Sequence, residues 1–279
     1  MSSPGNTEQK IGQPQLGNAL ATLAYQARCV GLLVVNHPPP RVLLRYLGHY
    51  LKRSKELVRP RSNAASHEVA SAQACFREAV AGGQFTHQWF DNNIPVWTEK
   101  LAVFKARHAA PDILEIGSFE GRSTLFFLSH FPASRVTVID AWSRAWEHQD
   151  LAPQLADAEA RFDHNVASYK TRVTKLCGRS AEHLGKLTST GPSQFDLIYV
   201  DGSHYANDVM VDAALSWSLL RPEGMLIFDD YIWLDYHHDP RKSSCRAINL
   251  FLRMIEGEYR LDHVAHQVII TKTATSPGR

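Results

Sequence analysis

Three carboxylates stand where two apolar runs of the sequence end. Asp201 directly follows the run 197–200, and Asp229 and Asp230 directly follow the run 225–228. If both runs are strands of one parallel sheet, the acids share the edge at which open α/β sheets bind ligands. Carboxylate oxygens are preferred ligands of Mg²⁺, so one interpretation is a magnesium site. Without a metal the acids would repel one another, so the alternative is a cluster that is partly protonated or satisfied by backbone N–H groups.

His204 lies three residues after Asp201, at the start of a helix predicted for residues 204–220. At a rise of about 1.5 Å per residue this helix is about 25 Å long, enough to cross back over a sheet. An imidazole has a pKa of about 6.5, which suits proton removal at neutral pH. His204 is therefore a candidate general base, or alternatively a helix-start residue that pairs with a nearby carboxylate.

A second group of candidate residues surrounds an E-x-G-x-x-x-G segment formed by Glu115, Gly117 and Gly121. The spacing differs from the dinucleotide fingerprint G-x-G-x-x-G, and a carboxylate in the turn suits a cationic sulfonium better than a pyrophosphate. Asp140 ends the next apolar run and is placed to accept the hydroxyls of a ribose. Its neighbours Ala141 and Trp142 could cover an adenine face. Taken singly, an acid at a strand end is more often a turn residue or a helix cap.

Apolar runs and helical segments alternate around these residues. Short strands are predicted at ILEIG, RVTVID (135–140) and RVTKLC (172–177), with helices near 95–107 and 153–168. Such alternation predicts a parallel sheet covered by helices. The last two runs, EYRLDH and HVAHQVIITK, have no helix between them and indicate an antiparallel hairpin at the sheet edge.

Three segments make the likeness to a known family specific. ILEIGSFEGRST, VTVIDAW and FDLIYVDGSHYANDVMVDAALSWSLLRPEGMLIFDDY resemble the class I S-adenosylmethionine-dependent methyltransferases, in particular the small-molecule O-methyltransferase-like family with a D-G-S-H segment after the fourth strand. The resemblance implies an α/β fold over 85–272: a seven-stranded Rossmann-like sheet, mostly parallel with the last strand antiparallel, and helices on both faces. Residues 1–84 are expected to be a helical N-terminal extension with a disordered start, and 273–279 a flexible tail.

The resemblance also implies a division of roles. His204 and Asp201 would be catalytic, and the metal would be held by Asp201, Asp229 and Asp230, where the catechol-type enzymes have Asn at the last position. The implied cofactor-binding residues are Glu115, Gly117, Ser118, Gly121, Ser123, Asp140, Trp142, Ser180 and Asp201.

The activity expected from this resemblance is methyl transfer from S-adenosylmethionine, assisted by Mg²⁺, to a hydroxylated small molecule such as a sugar or a natural-product intermediate. The alternative enzymatic activity is methylation without a metal ion or methylation of a nitrogen atom. A methyltransferase-like binding module without catalysis is the alternative outside them.

Composition restricts the class of partner. The formal net charge of +2 is too small to favour nucleic acid, and the four cysteines form no C-x-x-C pair, which argues against structural zinc and suits a reducing cytoplasm. No apolar run is long enough to span a membrane. The basic amphipathic segment 41–61 is compatible with contact to an anionic membrane, to a protein or to a second copy of the chain; packing on the domain is the simpler interpretation.

Overall fold

The computed structural model describes residues 16–58, 67–142, 157–234 and 239–274, and for 16–20 and 53–58 it describes the backbone alone. Seven strands form one sheet in the order β3-β2-β1-β4-β5-β7-β6. Their bounds are Asp112–Ile116 (β1), Arg135–Asp140 (β2), Val173–Cys177 (β3), Phe195–Val200 (β4), Leu220–Phe228 (β5), Tyr259–Val264 (β6) and Val268–Lys272 (β7). The predicted seven-stranded Rossmann-like sheet is confirmed.

Helices cover the sheet and precede it. The first three in the described residues are Leu16–Val35 (α1), Pro40–Val58 (α2) and His67–Ala79 (α3). The others in the described parts of the chain are Ile94–Arg107 (α4), Arg122–His130 (α5), Ala158–Asn165 (α6), Ser180–Thr190 (α7), Ala206–Leu219 (α8) and Ser244–Met254 (α9). The predicted helices near 95–107 and 204–220 are confirmed within one or two residues.

Parallel pairing joins the first five strands, because a helix connects each of them to the next. β1 pairs in parallel with β2 and with β4, and β4 pairs in parallel with β5. β7 is antiparallel to both β5 and β6, so the predicted hairpin lies at the sheet edge with β7 inside. The carboxyl ends of β1, β2, β3, β4 and β5 therefore share one edge of the sheet.

The central strand β4 is buried along its whole length, as expected for a strand covered by helices on both faces. β5 begins five residues earlier than its apolar run, directly after α8. The early part is irregular: the register with β4 shifts, and Glu223 has a positive φ of 61°. The strand continues there because it pairs with Phe195 through Leu220, a contact that the apolar pattern does not encode.

The N-terminal helices pack against the methyltransferase-like region. Leu33 of α1 and Val42 of α2 are fully buried in the same core cluster as β4 and β5. Arg45 donates to the Asp262 carbonyl, and the Arg41 guanidinium lies 3.9 Å from the Tyr259 ring centroid. The described part of the basic segment is thus a helix that packs on β6. Within the part of the chain that the structure describes, no helix has the length and hydropathy of a membrane span.

Some sequence-based expectations fall outside the described residues. These are the disordered start before residue 16, the end of the basic segment at 59–61, the start of the helix predicted near 153, and the final residues 275–279.

Candidate active site

An open cleft with a volume of about 1370 Å³ runs along the carboxyl edge of the sheet. It is lined by the residues that follow β1, β2, β3, β4 and β5, and by residues of α8 and of the turn between β6 and β7. Its volume exceeds the usual range for a single small ligand, roughly 300–1000 Å³, and so leaves room for two. Tyr25 of α1 and His49 of α2 reach the same cleft.

The turn after β1 requires glycine. Gly117 has a φ of +83°, and a Cβ added there would lie 2.0 Å from the carbonyl oxygen of Asp201. The glycine therefore allows the turn after β1 to approach the end of β4, which brings two of the predicted groups together. Gly121 also has a positive φ, and its neighbours are the Phe162 and Val166 side chains, so it serves helix packing outside the cleft lining.

Asp140, at the end of β2, holds that turn in place. Its Oδ2 accepts the backbone N–H groups of Ser118 and Phe119, each at 2.8 Å, and its Oδ1 accepts the N–H of Trp142 at 2.7 Å. Burial raises the pKa of Asp140, while these three donors oppose the shift. Asp140 and Ser118 both line the cleft.

Glu115 lies beneath the turn and is fully buried in β1. Its two oxygens accept hydrogen bonds from the hydroxyls of Ser123 and Thr124 at the start of α5. Burial raises the pKa of Glu115 to about 7, against the effect of those hydroxyls. Glu115 does not itself line the cleft, so within this structure it supports the turn, whereas Ser123 is exposed to the cleft.

Two further predicted cofactor residues occupy different surroundings. Ser180, the first residue of α7, lines the cleft beside the end of β3. Trp142 is directed into the core: its indole N–H donates to the Phe119 carbonyl at 2.6 Å, and its ring packs on Phe162 at 4.9 Å between centroids. Ala141, which precedes Trp142, lines the cleft instead.

The Tyr199 phenol contacts the carboxylates of both Asp201 and Asp229. The Tyr199 hydroxyl lies 2.8 Å from Asp201 Oδ2 and also within hydrogen-bonding distance of Asp229 Oδ2. A phenol has one proton and can donate to one of the two carboxylates at a time. Burial, followed by the charges of Asp229 and Asp230, raises the pKa of Asp201 well above its usual range. Burial and the Asp230 charge raise the pKa of Asp229 to about 6.

Neutral donors complete the surroundings of Asp229. The Gln267 side-chain amide donates to its Oδ2 at 2.8 Å, and the Asp230 N–H donates to its Oδ1 at 2.8 Å. Gln267 is itself fixed, because its carbonyl accepts the Trp97 indole N–H at 2.6 Å. In the contacts described so far, Asp201 and Asp229 accept hydrogen bonds from neutral groups and from no cationic side chain.

His204 pairs with the third acid. Its Nε2 lies 2.8 Å from Asp230 Oδ2, and its ring packs edge-on against Trp233 at 4.0 Å between centroids. Asp230 adopts a positive φ of 52°, so its backbone is held in an uncommon conformation. The carboxylate orients the imidazole within the cleft, where both residues are exposed to a ligand.

The acids suit Mg²⁺ in charge and atom type. Three buried or half-buried carboxylates at adjacent strand ends bring together negative charge that a dication would relieve, and the pKa values of Asp201 and Asp229 are raised. Over the described ranges, however, no group of three or more His, Cys, Asp or Glu side chains is arranged to hold a metal ion. Asp201 and Asp229 instead contact the Tyr199 hydroxyl, and Asp230 contacts the His204 imidazole.

Sequence reasoning missed the residues that connect these groups. Tyr199 lies two positions before Asp201, and the alternation of a strand puts both on one face, so this signal was present. Gln267 has no local signal, because it reaches Asp229 only through the hairpin. Asp239 lies away from this cluster and accepts the backbone N–H of Arg241 at 3.0 Å.

A family model described as "Methyltransferase domain" matches residues 114–231. Among curated proteins, "O-methyltransferase hkm8" of Aspergillus hancockii is 28% identical over 127 residues, which cover 45% of each chain. An uncharacterized protein of Acanthamoeba polyphaga mimivirus is 25% identical over 147 residues, 52% of this chain and 62% of that protein. The alignments therefore span less than two thirds of the length of either relative.

Among solved structures, the MycE methyltransferase of the mycinamycin biosynthetic pathway, in complex with Mg, SAH and mycinamycin VI, superposes with a TM-score of 0.50. Its sequence is 17% identical, and the match covers 84% of this chain and 63% of that chain. At this identity the likeness concerns the fold. The matched family model and the shared fold agree with the sequence resemblance: residues 114–231 are similar to methyltransferase domains.

Proposed function

We propose that this chain is an S-adenosylmethionine-dependent O-methyltransferase that uses Mg²⁺ and acts on a hydroxylated small molecule. The observation that carries the proposal is one continuous cleft, lined at one end by the β1 turn with Asp140 and at the other by Asp201, Asp229 and His204. A methyl donor bound at the first end would face an acceptor at the second. Methyl transfer is an in-line displacement, so this juxtaposition supplies much of the catalysis.

The proposed cofactor site uses the turn after β1. Gly117 and Ser118 would approach the methionine portion, Asp140 would face the ribose, and Ser180 would lie near the base. Glu115, Gly121, Ser123 and Trp142 would shape the turn and its helix, as their contacts indicate.

The proposed acceptor site uses the acids. Asp201, Asp229 and Asp230 would hold Mg²⁺, which when bound lowers the pKa of an acceptor hydroxyl and orients it. His204 would take the hydroxyl proton at Nδ1, because Nε2 carries the hydrogen that it donates to Asp230. Tyr199 stays protonated, since burial and both neighbouring carboxylates raise its pKa.

Aromatic rings at the cleft mouth fit a ring-shaped acceptor. His87, Trp89 and Phe119 stack in sequence, with centroid distances of 4.1 and 5.4 Å, and all three line the cleft. Trp89 is 58% exposed. Flat apolar faces of this kind stabilise sugars or aromatic natural products by stacking.

A metal-independent version is the second candidate, because the acids are arranged around Tyr199 and His204 rather than as a three-ligand group in the described parts of the chain. In that version the Asp230–His204 pair alone removes the proton, and the negative cluster stabilises the sulfonium. N-directed transfer would use the same arrangement.

The experiment is methyl transfer from S-adenosylmethionine to a panel of hydroxylated sugars, phenols and amines, with Mg²⁺ and after exhaustive chelation. Activity that is lost on chelation and in Asp229→Ala supports the leading candidate. Activity that survives both selects the metal-independent one. Absence of S-adenosylmethionine binding in calorimetry would leave a binding module and contradict both.

A further inference from the structure

The side of helix α1 that faces solvent is apolar. The opposite side is buried, with Cys29 and Leu33 in the core cluster that contains β4 and β5. The exposed residues of the solvent side include Leu23, Ala24, Ala27, Gly31, Val34 and Val35. Val34 and Val35 remain 52% and 73% exposed. Exposed apolar surface that continues over about three helical turns is typical of a surface that binds a partner.

The solvent side of helix α2 combines leucines with basic residues. Leu44 is 70% exposed and Leu51 is 57% exposed. Arg45 and Lys52 each follow one of these leucines and are exposed as well. The two Leu-basic pairs are seven residues apart, so they repeat on one side of the helix, opposite the buried Val42.

Positive charge predominates on this pair of helices. Residues 16–58 contain six Lys or Arg and one acid, Glu56, although the whole chain has a formal net charge of only +2. An acid of helix α4 that interacts with Lys52, Glu99, is already paired with Lys100 at 2.7 Å. The excess charge is therefore local and attracts an anionic partner.

The two helices form one layer on the domain. They are joined by residues 36–39, contact each other, and bury their inner sides in the same core cluster. Their solvent sides therefore lie next to each other and form one surface, which we call the outer face of α1 and α2. Neither helix has the length and hydropathy of a membrane span, so this face can lie on a bilayer but not cross it.

We propose that the outer face of α1 and α2 binds the surface of an anionic membrane. The Leu and Val side chains enter the boundary of the acyl chains, and the Lys and Arg side chains reach the lipid phosphates. A second copy of the chain is a poorer occupant, because a twofold interface on this face would bring Arg45 and Lys52 of both copies together. The inference concerns where the chain binds and is independent of the proposed methyl transfer.

The test is co-sedimentation of the full chain with vesicles of phosphatidylcholine alone and of phosphatidylcholine with about one third phosphatidylserine. We expect binding to the anionic vesicles at about 0.1 M salt, and a fall of at least about tenfold at about 1 M salt, where the Debye length is only about 3 Å. No binding to the anionic vesicles at the lower salt, or equal binding to both kinds of vesicle, would overturn the inference.

Substitutions on the outer face locate the contact. Lys52→Gln should weaken binding about fivefold, since a basic residue near an anionic surface contributes about 1 kcal/mol. Leu44→Gln combined with Leu51→Gln should weaken it by about tenfold or more. The matched controls are Val103→Gln and Lys105→Gln, at exposed positions of helix α4, whose buried side belongs to the other core cluster. Binding of these controls should equal that of the wild type.

The substituted side chains are exposed, so each variant should keep the wild-type Tm within a few degrees. Equal loss of binding in the α4 controls and in the outer-face variants would overturn the assignment to α1 and α2. Light scattering detects the second-copy alternative. A wild-type dimer that the double leucine variant converts to a monomer, together with no vesicle binding, would assign the outer face to a second copy and overturn the inference, while leaving the proposed methyl transfer intact.

Discussion

The acids at the two ends of the cleft differ in how their charge is satisfied. Asp140 accepts three backbone N–H groups and Glu115 accepts two hydroxyls, so their oxygens are used in holding the β1 turn. Asp201 and Asp229 instead share one phenol and repel each other. The carboxylates of the first end are satisfied by hydrogen bonds from the protein. Those of the second end carry negative charge that a ligand would relieve. The proposed roles of cofactor binding and chemistry follow this difference.

The largest expected effect comes from the second end. Asp201→Asn removes one of the repelling charges and one proposed metal ligand, so we expect methyl transfer to fall by about 1000-fold or more. The unfolding free energy should not fall, since less repulsion is buried. Steady-state rates and thermal unfolding measure the two.

An exposed acid provides the control. Asp163→Asn removes an ion pair with Lys175 at the surface, and it should leave the rate unchanged. Wild-type activity in the Asp201 variant would contradict the assignment of this end to chemistry.

The contact between the two ends can be broken at Gly117. Gly117→Ala would place a Cβ 2.0 Å from the Asp201 carbonyl oxygen at a positive φ, so the backbone must move. We expect a loss of about 3 kcal/mol or more of unfolding free energy and loss of S-adenosylmethionine binding. Denaturant unfolding and calorimetry provide the measurements.

Gly48→Ala is the matched control, because nothing lies within 4 Å of the added Cβ in helix α2. It should stabilise the protein by roughly 0.5–1 kcal/mol. Equal effects of the two substitutions would mean that the close approach of the β1 turn to β4 is not rigid.

Replacing His204 separates chemistry from binding. His204→Gln keeps a polar side chain near Asp230 but removes the titrating nitrogen, so kcat should fall by about 100-fold. The Kd for S-adenosylhomocysteine should stay within about twofold, since His204 lies at the proposed acceptor end. A fall in affinity with kcat retained would assign His204 to the cofactor.

The first end provides a prediction about stability rather than about rate. The pKa of Glu115 is raised from 4.5 to about 7 in the folded protein, so folding holds a proton that the unfolded chain releases. Its contribution therefore lowers stability as pH rises from about 4.5 to about 7, by up to about 3 kcal/mol. Glu115→Gln should flatten the stability profile across that window. An unchanged slope in urea titrations at several pH values would show that Glu115 does not titrate there.

The sequence predicted the bounds of strands and helices better than the contacts that their side chains make. β2 was located at its observed ends, because an apolar run stops at Asp140. The motif at Glu115 predicted a cofactor turn, but the use of its oxygens by Ser123 and Thr124 depends on how α5 returns over β1. Trp142 was predicted at the adenine; in the structure it has a positive φ of 38° and its ring packs on Phe162.

Long-range contacts account for the remaining differences. Gln267 reaches Asp229 because β7 lies between β5 and β6, an order that no local pattern specifies. Tyr25 and His49 line the cleft because α1 and α2 pack on the domain, although the composition of these helices suggested several partners. Such residues are brought together by packing, which single-sequence periodicity does not describe.

Calorimetric titration with S-adenosylmethionine, combined with methyl transfer by the same samples, tests the division between the two ends most directly. We predict that Asp140→Ala abolishes binding, and that Asp229→Asn binds S-adenosylmethionine as the wild type does while losing methyl transfer. Loss of binding in Asp229→Asn together with normal binding in Asp140→Ala would contradict the account.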